Sequence, residues 1–392
     1  MRFISVVTTA LALGSGPVIA APNLGPQAPT TEEVQGAKSV EDFRNLAIQA
    51  IEAQQSDLQR PGELGSCTLE NALVRRDWEH MSKCERKEYI KAVKCLWTLP
   101  AVDPEFSAAQ NYYDEFVAIR ANLTDLIHGT ANFFTWHRYL IHLWEETLRD
   151  ECGYRGALPY WNWYKYQSAL HLSPVFDGSD TSFGSTGKYF KHNGSLVGSR
   201  TVWLPPGEGG GCIKDGPFVG YTINLGPIRP AMNGYEPWMK DQRDYNPRCQ
   251  RRDLVHAASE RYTFDGLYDL LAGDHSHTIE LMQNEFQAFG TLSQHGAGHY
   301  AMGGDGSDVF TSLNDPAFYL HHAMVDKLYW MWQALHPREA NTVAGTLTYQ
   351  NIIPSRNGTV EDELDVGVLG PHLKIKDTFN TLGGTPYCYI YE

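Results

Sequence analysis

The chain has 392 residues, of which 42% are hydrophobic, 12% aromatic and 20% charged, and its formal net charge is −14. That length encloses a large core and a cofactor cavity in one big domain or two ordinary ones, and the composition is not that of a disordered or membrane-embedded chain. The acidic balance, with no basic stripe, argues against a nucleic-acid partner, because phosphate contacts need clustered Lys and Arg.

In chain order, Met1-Arg2, the apolar run Phe3 to Leu13 and then Val18-Ile19-Ala20 have the three zones of a secretory signal peptide. Residues 1–20 are therefore expected to be a leader, and the chain to enter the secretory pathway and be secreted. The run is too short to span a bilayer, and no later stretch of about 18 apolar residues follows, so no membrane partner is expected. Residues 21–39, rich in Pro, Thr and Gly, read as a flexible mature terminus. One catalytic domain is expected over 40–392, without repeat or linker.

Apolar residues from Val40 to Leu99 (Leu46, Ile48, Ile51, Leu73, Trp78, Tyr89, Ile90, Val93) recur at roughly helical intervals and predict two or three helices, interrupted at Pro61-Gly62. Phe133 to Cys152 predicts a long amphipathic helix with Trp136, Leu140, Leu143, Trp144 and Leu148 on one stripe and Asn132 as its cap. Between about 165 and 250, Gly and Pro accumulate and long loops with short strands are expected. Helical pattern returns at Thr278 to Phe289, Gln294 to Ala301 and Pro316 to Leu335, where Pro316 suits a first turn. From Leu347 onward the chain reads as strand and loop. The fold class is mainly α, a helical bundle wrapped in loops.

Secretion makes the sequons at Asn122, Asn193 and Asn357 expected N-glycan acceptors on exposed loops. The seven cysteines predict up to three bridges and an odd thiol. Spacing does not assign the pairs. The pairing adopted joins Cys67 to Cys95, Cys212 to Cys249 and Cys152 to Cys388, leaving Cys84 either buried or available to link two chains as a disulfide-bonded homodimer.

His295 and His299 stand four apart, so on a helix both imidazoles leave one face and can share a metal ion. HxxxH alone is a weak pattern and needs a third ligand from another segment. Asn314-Asp315-Pro316-Ala317-Phe318-Tyr319-Leu320-His321-His322-Ala323-Met324-Val325-Asp326 supplies one on a following helix. Here the chain resembles the tyrosinases, catechol oxidases and hemocyanins, the type-3 copper family, whose second copper motif has the form HxxxH followed by DPxFxxHHxxxD. The later histidine of the doublet is the ligand there, which implies that His322 binds metal and His321 is a neighbour.

His128-Gly129 and Phe133-Phe134-Thr135-Trp136-His137-Arg138 are similar to the second and third ligands of the family's first copper site. Pro159-Tyr160-Trp161-Asn162-Trp163 is also similar, and Tyr389-Ile390-Tyr391 resembles the tyrosine pair that closes the core domain, with no shielding domain expected after it. The resemblance implies a tyrosinase/hemocyanin-like four-helix bundle carrying the metal site, with Arg138 and Asp326 as a buried ion pair bracing two helices.

One position departs from the family. Its short secreted fungal members carry the first ligand eight residues before the second, in a phrase like FVAxHxxxTxxIHG. This chain reads Phe116-Val117-Ala118-Ile119-Arg120 and continues to Ile127-His128-Gly129, so Arg120 stands where a histidine is expected. A protonated guanidinium has no lone pair to give a metal and repels a nearby cation. The alternative reading pairs Arg120 with a carboxylate such as Asp125 or points it outward. His142, on the helix of His137, is not expected to reach the vacated place, and Asp274-His275-Ser276-His277 reads as a polar helix start rather than a metal cluster.

What remains is one ion on His295, His299 and His322 with a fourth position open, the ligand count of catalytic zinc sites. Zinc lacks redox chemistry, so the expectation is one Zn2+ per chain acting as a Lewis acid. The family holds a precedent in the hemocyanin-like cyclopenases of fungal quinolone alkaloid pathways. They convert a cyclopenin-type benzodiazepinedione spiro-epoxide to a viridicatin-type quinolone with loss of methyl isocyanate. Carried over, His128 or His137 would move protons, Arg120 would stabilise developing negative charge, and Tyr300 would shape the pocket of a small aromatic substrate. The alternatives are a dicopper catechol or o-aminophenol oxidase in which another residue replaces the lost ligand, and a non-catalytic metal-binding protein.

Overall fold

In the computed structural model, which describes residues 27–57, 67–197 and 200–392, helices dominate and the strands are short. The helices are α1 (Thr31–Gln35), α2 (Val40–Asp57), α3 (Lys83–Leu96), α4 (Tyr112–Ile127), α5 (Phe133–Asp150), α6 (His256–Ser259), α7 (Phe264–Leu271), α8 (Ile279–Phe286), α9 (Gln294–Met302) and α10 (Ala317–Leu335). The strands pair two by two: β1 (Leu73–Arg75) with β8 (Tyr389–Tyr391), β2 (Ser195–Val197) with β3 (Val202–Leu204), β4 (Thr222–Leu225) with β5 (Tyr245–Cys249), and β6 (Glu363–Leu364) with β7 (Leu373–Lys374). Only the β1–β8 pair is parallel, with Leu73 opposite Tyr389 and Arg75 opposite Tyr391.

Local chemistry sets the helix starts. Ser82 and Glu85 form a reciprocal capping box at α3, the Asn111 side chain accepts from the Asp114 N–H at α4, and Ser293 accepts from the Gly296 N–H at α9. At α10, Pro316 fixes φ at −64° and the Asp315 carboxylate accepts from the Ala317 N–H at 3.0 Å. Every residue of α10 from Ala317 to Ala334 is buried, the mark of a helix at the centre of a bundle. It packs against α2, α5, α7 and α9. These contacts give the mainly α, tyrosinase-like bundle that the sequence motifs imply.

Charge is enclosed in that centre. The Arg138 Nε lies 2.6 Å from Asp326 Oδ1, bracing α5 to α10 as expected, and Arg75 reaches Glu145 at 2.5 Å and Asp326 at 3.1 Å. The hydroxyls of Tyr389 and Tyr391 both donate to Asp326 Oδ2 at 2.7 Å. Burial alone would raise the Asp326 pKa, but the two guanidiniums and two phenols hold it below the carboxylate range.

Several expectations need correction. Cys67 bonds Cys388 and Cys95 bonds Cys152, while Cys212–Cys249 is as expected. The parallel β1–β8 pairing brings Cys67 to Cys388, and the packing of α3 on α5 brings Cys95 to Cys152; neither contact can be read from spacing. Cys84 is a free thiol and exposed, not buried. Part of the expected flexible terminus is ordered, because Thr30 and Glu33 cap α1 reciprocally. Asn132 stands at the start of α5 but makes no capping bond, since its Oδ1 accepts from the Thr130 hydroxyl at 2.7 Å. Asn122 is not on a loop: it sits on α4 and accepts from Gln242 Nε2 at 2.7 Å, whereas Asn193 and Asn357 are exposed and lie outside helices. The expected leader and the break at Pro61-Gly62 lie outside the described residues. No described helix is long and apolar enough to cross a membrane.

Candidate metal centre

Helix α9 carries His295 and His299 on one face, and their Nε2 atoms stand 3.0 Å apart. Helix α10 delivers His322, whose Nε2 lies 3.3 Å from that of His299. The two helices approach closely because Gly298 has no side chain; a Cβ there would fall 2.2 Å from Cε1 of His321. For a metal–nitrogen bond of about 2.0–2.1 Å, tetrahedral ligands sit about 3.3 Å from each other. The His322–His299 spacing equals that edge, and the His295–His299 spacing is somewhat shorter.

The protonation pattern fits a cation as well. His299 Nδ1 lies 3.0 Å from the Gly306 carbonyl, so Nδ1 carries the proton and the Nε2 lone pair faces inward. Burial keeps all three imidazoles neutral, His299 down to about 3 with Arg120 adding to the effect. His299 therefore presents a lone pair toward His295 and His322, and a neutral imidazole at each of those positions can present its own Nε2 lone pair to the same ion. The residues therefore fit one ion. His321, treated as a neighbour in the sequence, is closer than that word implies: a nitrogen of its ring lies within 4.8 Å of the other three ligand atoms.

Opposite these rings stand His128 and His137. His137 Nδ1 donates to the Phe133 carbonyl at 2.8 Å, and its Nε2 is buried with no partner. His128 Nδ1 donates to the Thr124 carbonyl at 2.8 Å, leaving Nε2 as an acceptor. The centroids of these two rings are 5.1 Å apart, and His137 stacks 4.6 Å from His322. Gly129 turns the chain after His128 with φ +62°, and a Cβ there would meet Gln350 Cα and Phe289 at 2.7 Å. Its N–H donates to Gln287 Oε1 at 2.9 Å.

Arg120 fills the remaining place. It is 1% exposed, donates from Nη2 to His128 Nε2 at 2.9 Å and from Nη1 to the Val309 carbonyl, and pairs with no carboxylate. Burial pushes it down to about 9, with Asp308 opposing, so it is still a cation at neutral pH. Neither Asp125 nor solvent receives it. A second metal at this position does not fit: the lone pair that would bind it is taken by a guanidinium N–H. A unit charge about 4 Å from a cation also costs about 4 kcal/mol at an effective dielectric near 20.

His142 lies away from the centre, edge-on to Tyr387 at 4.9 Å and lowered to about 4 by burial. His275 Nδ1–H donates to Asp269 Oδ2 at 2.6 Å in a turn ahead of α8, a polar lead-in to that helix. The centre opens into a cavity of about 470 Å³ bounded by the aromatic rings of Trp238, Phe289, Tyr300 and Tyr349. Its charged lining residues are Arg120, Arg200, Arg229 and Asp308. Sequence reasoning placed Tyr300 here but missed Gln287 and the Val309 carbonyl, which carry no motif and reach the site only through the fold.

Comparison with known proteins agrees with this architecture. Residues 110–335 match the family described as the common central domain of tyrosinase. The chain is 35% identical over 353 residues to the N-acetyl-6-hydroxytryptophan oxidase ivoB of Emericella nidulans, covering 84% of this chain and 95% of that one. It is 35% identical over 373 residues to tyrosinase P of Aspergillus terreus, covering 89% and 99%. Among solved structures it is similar to a variant of the polyphenol oxidase from Thermothelomyces thermophila, with a TM-score of 0.82 and 32% identity over 92% of this chain and 100% of that one.

Proposed function

The chain belongs to the tyrosinase family, and from that premise we propose that it is a secreted enzyme that works with a single metal ion, zinc, rather than with a copper pair. The observation that carries this reading is the hydrogen bond from Arg120 to His128 Nε2, which occupies the lone pair a second ion would use.

His295, His299 and His322 would hold the ion, which supplies Lewis acidity toward a carbonyl or epoxide oxygen. The candidate proton carriers are His128, which lines the cavity but is engaged by Arg120, and His137, whose partnerless Nε2 is buried outside the lining. Arg120 lines the cavity and would set its positive charge beside an oxygen that gains negative charge. Trp238, Phe289, Tyr300 and Tyr349 hold a flat aromatic substrate and exclude water from it.

The substrate class that suits these groups is an aromatic alkaloid with an activated oxygen. Its most specific form is a cyclopenin-type spiro-epoxide benzodiazepinedione, rearranged to a viridicatin-type quinolone with loss of methyl isocyanate. That conversion redistributes the substrate's own atoms and requires neither oxidant nor reductant, which suits an ion without redox chemistry.

A second reading is a dicopper catechol or o-aminophenol oxidase. Its support is the naming of the relatives, an oxidase and a tyrosinase, and the presence of both His128 and His137. Elemental analysis on protein secreted by a eukaryotic host separates the two. About one zinc per chain, with turnover of the spiro-epoxide, supports the first; about two coppers, with air-dependent browning of catechol, overturns it.

A further inference from the structure

Gln287 follows the last turn of α8 and is only 5% exposed, yet it lines the cavity. The orientation of its carboxamide is fixed by chemistry. The Gly129 N–H donates to Oε1 at 2.9 Å, so the oxygen must take that side and the NH2 group the other. The NH2 group has no hydrogen bond to any described residue, and it is not among the polar atoms sealed away from solvent without a partner. Gln287 lines the cavity, and its NH2 group is the part of the carboxamide left to face it.

Because Gly129 follows His128 directly, this donor lies on the same wall as Arg120. The one carboxylate among the lining residues is meanwhile spent. The Asp308 carboxylate takes four backbone N–H groups, from Ile228, Arg229, Phe310 and Thr311, at 2.7 to 3.0 Å. Three arginines, Arg120, Arg200 and Arg229, also line the cavity, so its charged groups favour an occupant that carries acceptor oxygens.

We propose that Gln287 is a substrate-binding residue whose NH2 group donates to a carbonyl oxygen of the occupant. It would thereby select aromatic lactams or amides that carry a second carbonyl besides the oxygen directed at the ion. This assignment rests on the single-ion reading for the role of the first oxygen. A site built to satisfy such an oxygen discriminates against an analogue lacking it, because the donor is then left without a partner.

The test is calorimetric binding to zinc-loaded protein of two unreactive neutral probes. One is 1,4-benzodiazepine-2,5-dione; the other is its analogue with the carbonyl beside the aniline nitrogen reduced to methylene. The wild type is expected to prefer the dione by about 3- to 10-fold, and Gln287→Leu to bring that preference to about one. Gln287→Glu keeps an oxygen for the Gly129 N–H but removes the donor, so it should lose the preference with unfolding midpoint and metal content unchanged. A preference that survives in both variants, or that is absent from the wild type, overturns the assignment. Chemistry is not the readout, so the two readings fail separately: a protein that held two coppers but lost dione preference on Gln287→Leu would keep this assignment and sink the single-ion enzyme.

Discussion

Arg120 holds His128 Nε2 at 2.9 Å, and through that bond a side chain of α4 sets a fixed cation on the imidazole nitrogen that would otherwise face a metal. Replacing Arg120 by His returns an imidazole to the position. The expected outcome for Arg120→His is a rise from about one to about two ions per chain in elemental analysis, since both partners, His128 and His137, already present inward lone pairs. An unchanged stoichiometry would mean that the pocket, and not the arginine, rejects the second ion.

His322 and His321 are adjacent, but their expected roles differ. His322→Ala removes one of three nitrogens at ligand spacing and should abolish stoichiometric binding, whereas His321→Phe should retain about one ion per chain. Metal content after dialysis reads both. Loss of the ion from His321→Phe would promote His321 to a ligand.

Asp326 joins Arg138, Arg75, Tyr389 and Tyr391 with no access to water. Asp326→Asn leaves the Arg138 guanidinium without its carboxylate and Arg75 with Glu145 alone, and should cost about 3–5 kcal/mol in urea unfolding. Its pKa is lower in the folded chain than in the unfolded one. The stabilisation is therefore complete above the ordinary value of 3.8 and drains away as pH falls below it.

His142 works at milder acidity. Burial lowers it from 6.5 to about 4, so between those values the unfolded chain takes up a proton that the folded chain refuses. Stability should be full above pH 6.5 and fall by up to about 3 kcal/mol as pH drops toward 4. His142→Phe should make that limb shallower without abolishing it, because the buried imidazoles of the metal centre are lowered too and refuse protons over the same range.

Those elements that rest on local patterns were legible in the sequence. The stripe from Trp136 to Leu148 gives α5, and the HxxxH spacing with His322 gives three converging nitrogens. The bridge from Arg138 to Asp326 follows from the motifs, not from any spacing. What escaped depends on pairings across long stretches of chain. Cys67 finds Cys388 only because β1 lies beside β8, and Arg120 finds the Val309 carbonyl only because the loop before α10 folds over α4. Asn132 was placed correctly but given the wrong partner, because Thr130 competes for its oxygen at closer range.

The parallel strand pair has a consequence in time. Arg75 and Tyr391 are 316 residues apart, so at a synthesis rate of about 5–20 residues per second β1 waits roughly 15 to 60 s for its partner. Throughout that interval its edge is open and Asp326, once made, lacks both phenols. A chain emerging in order can assemble its histidines before it can lock the helices that carry them, which leaves a window in which the nascent protein depends on chaperones to cover the unfinished edge.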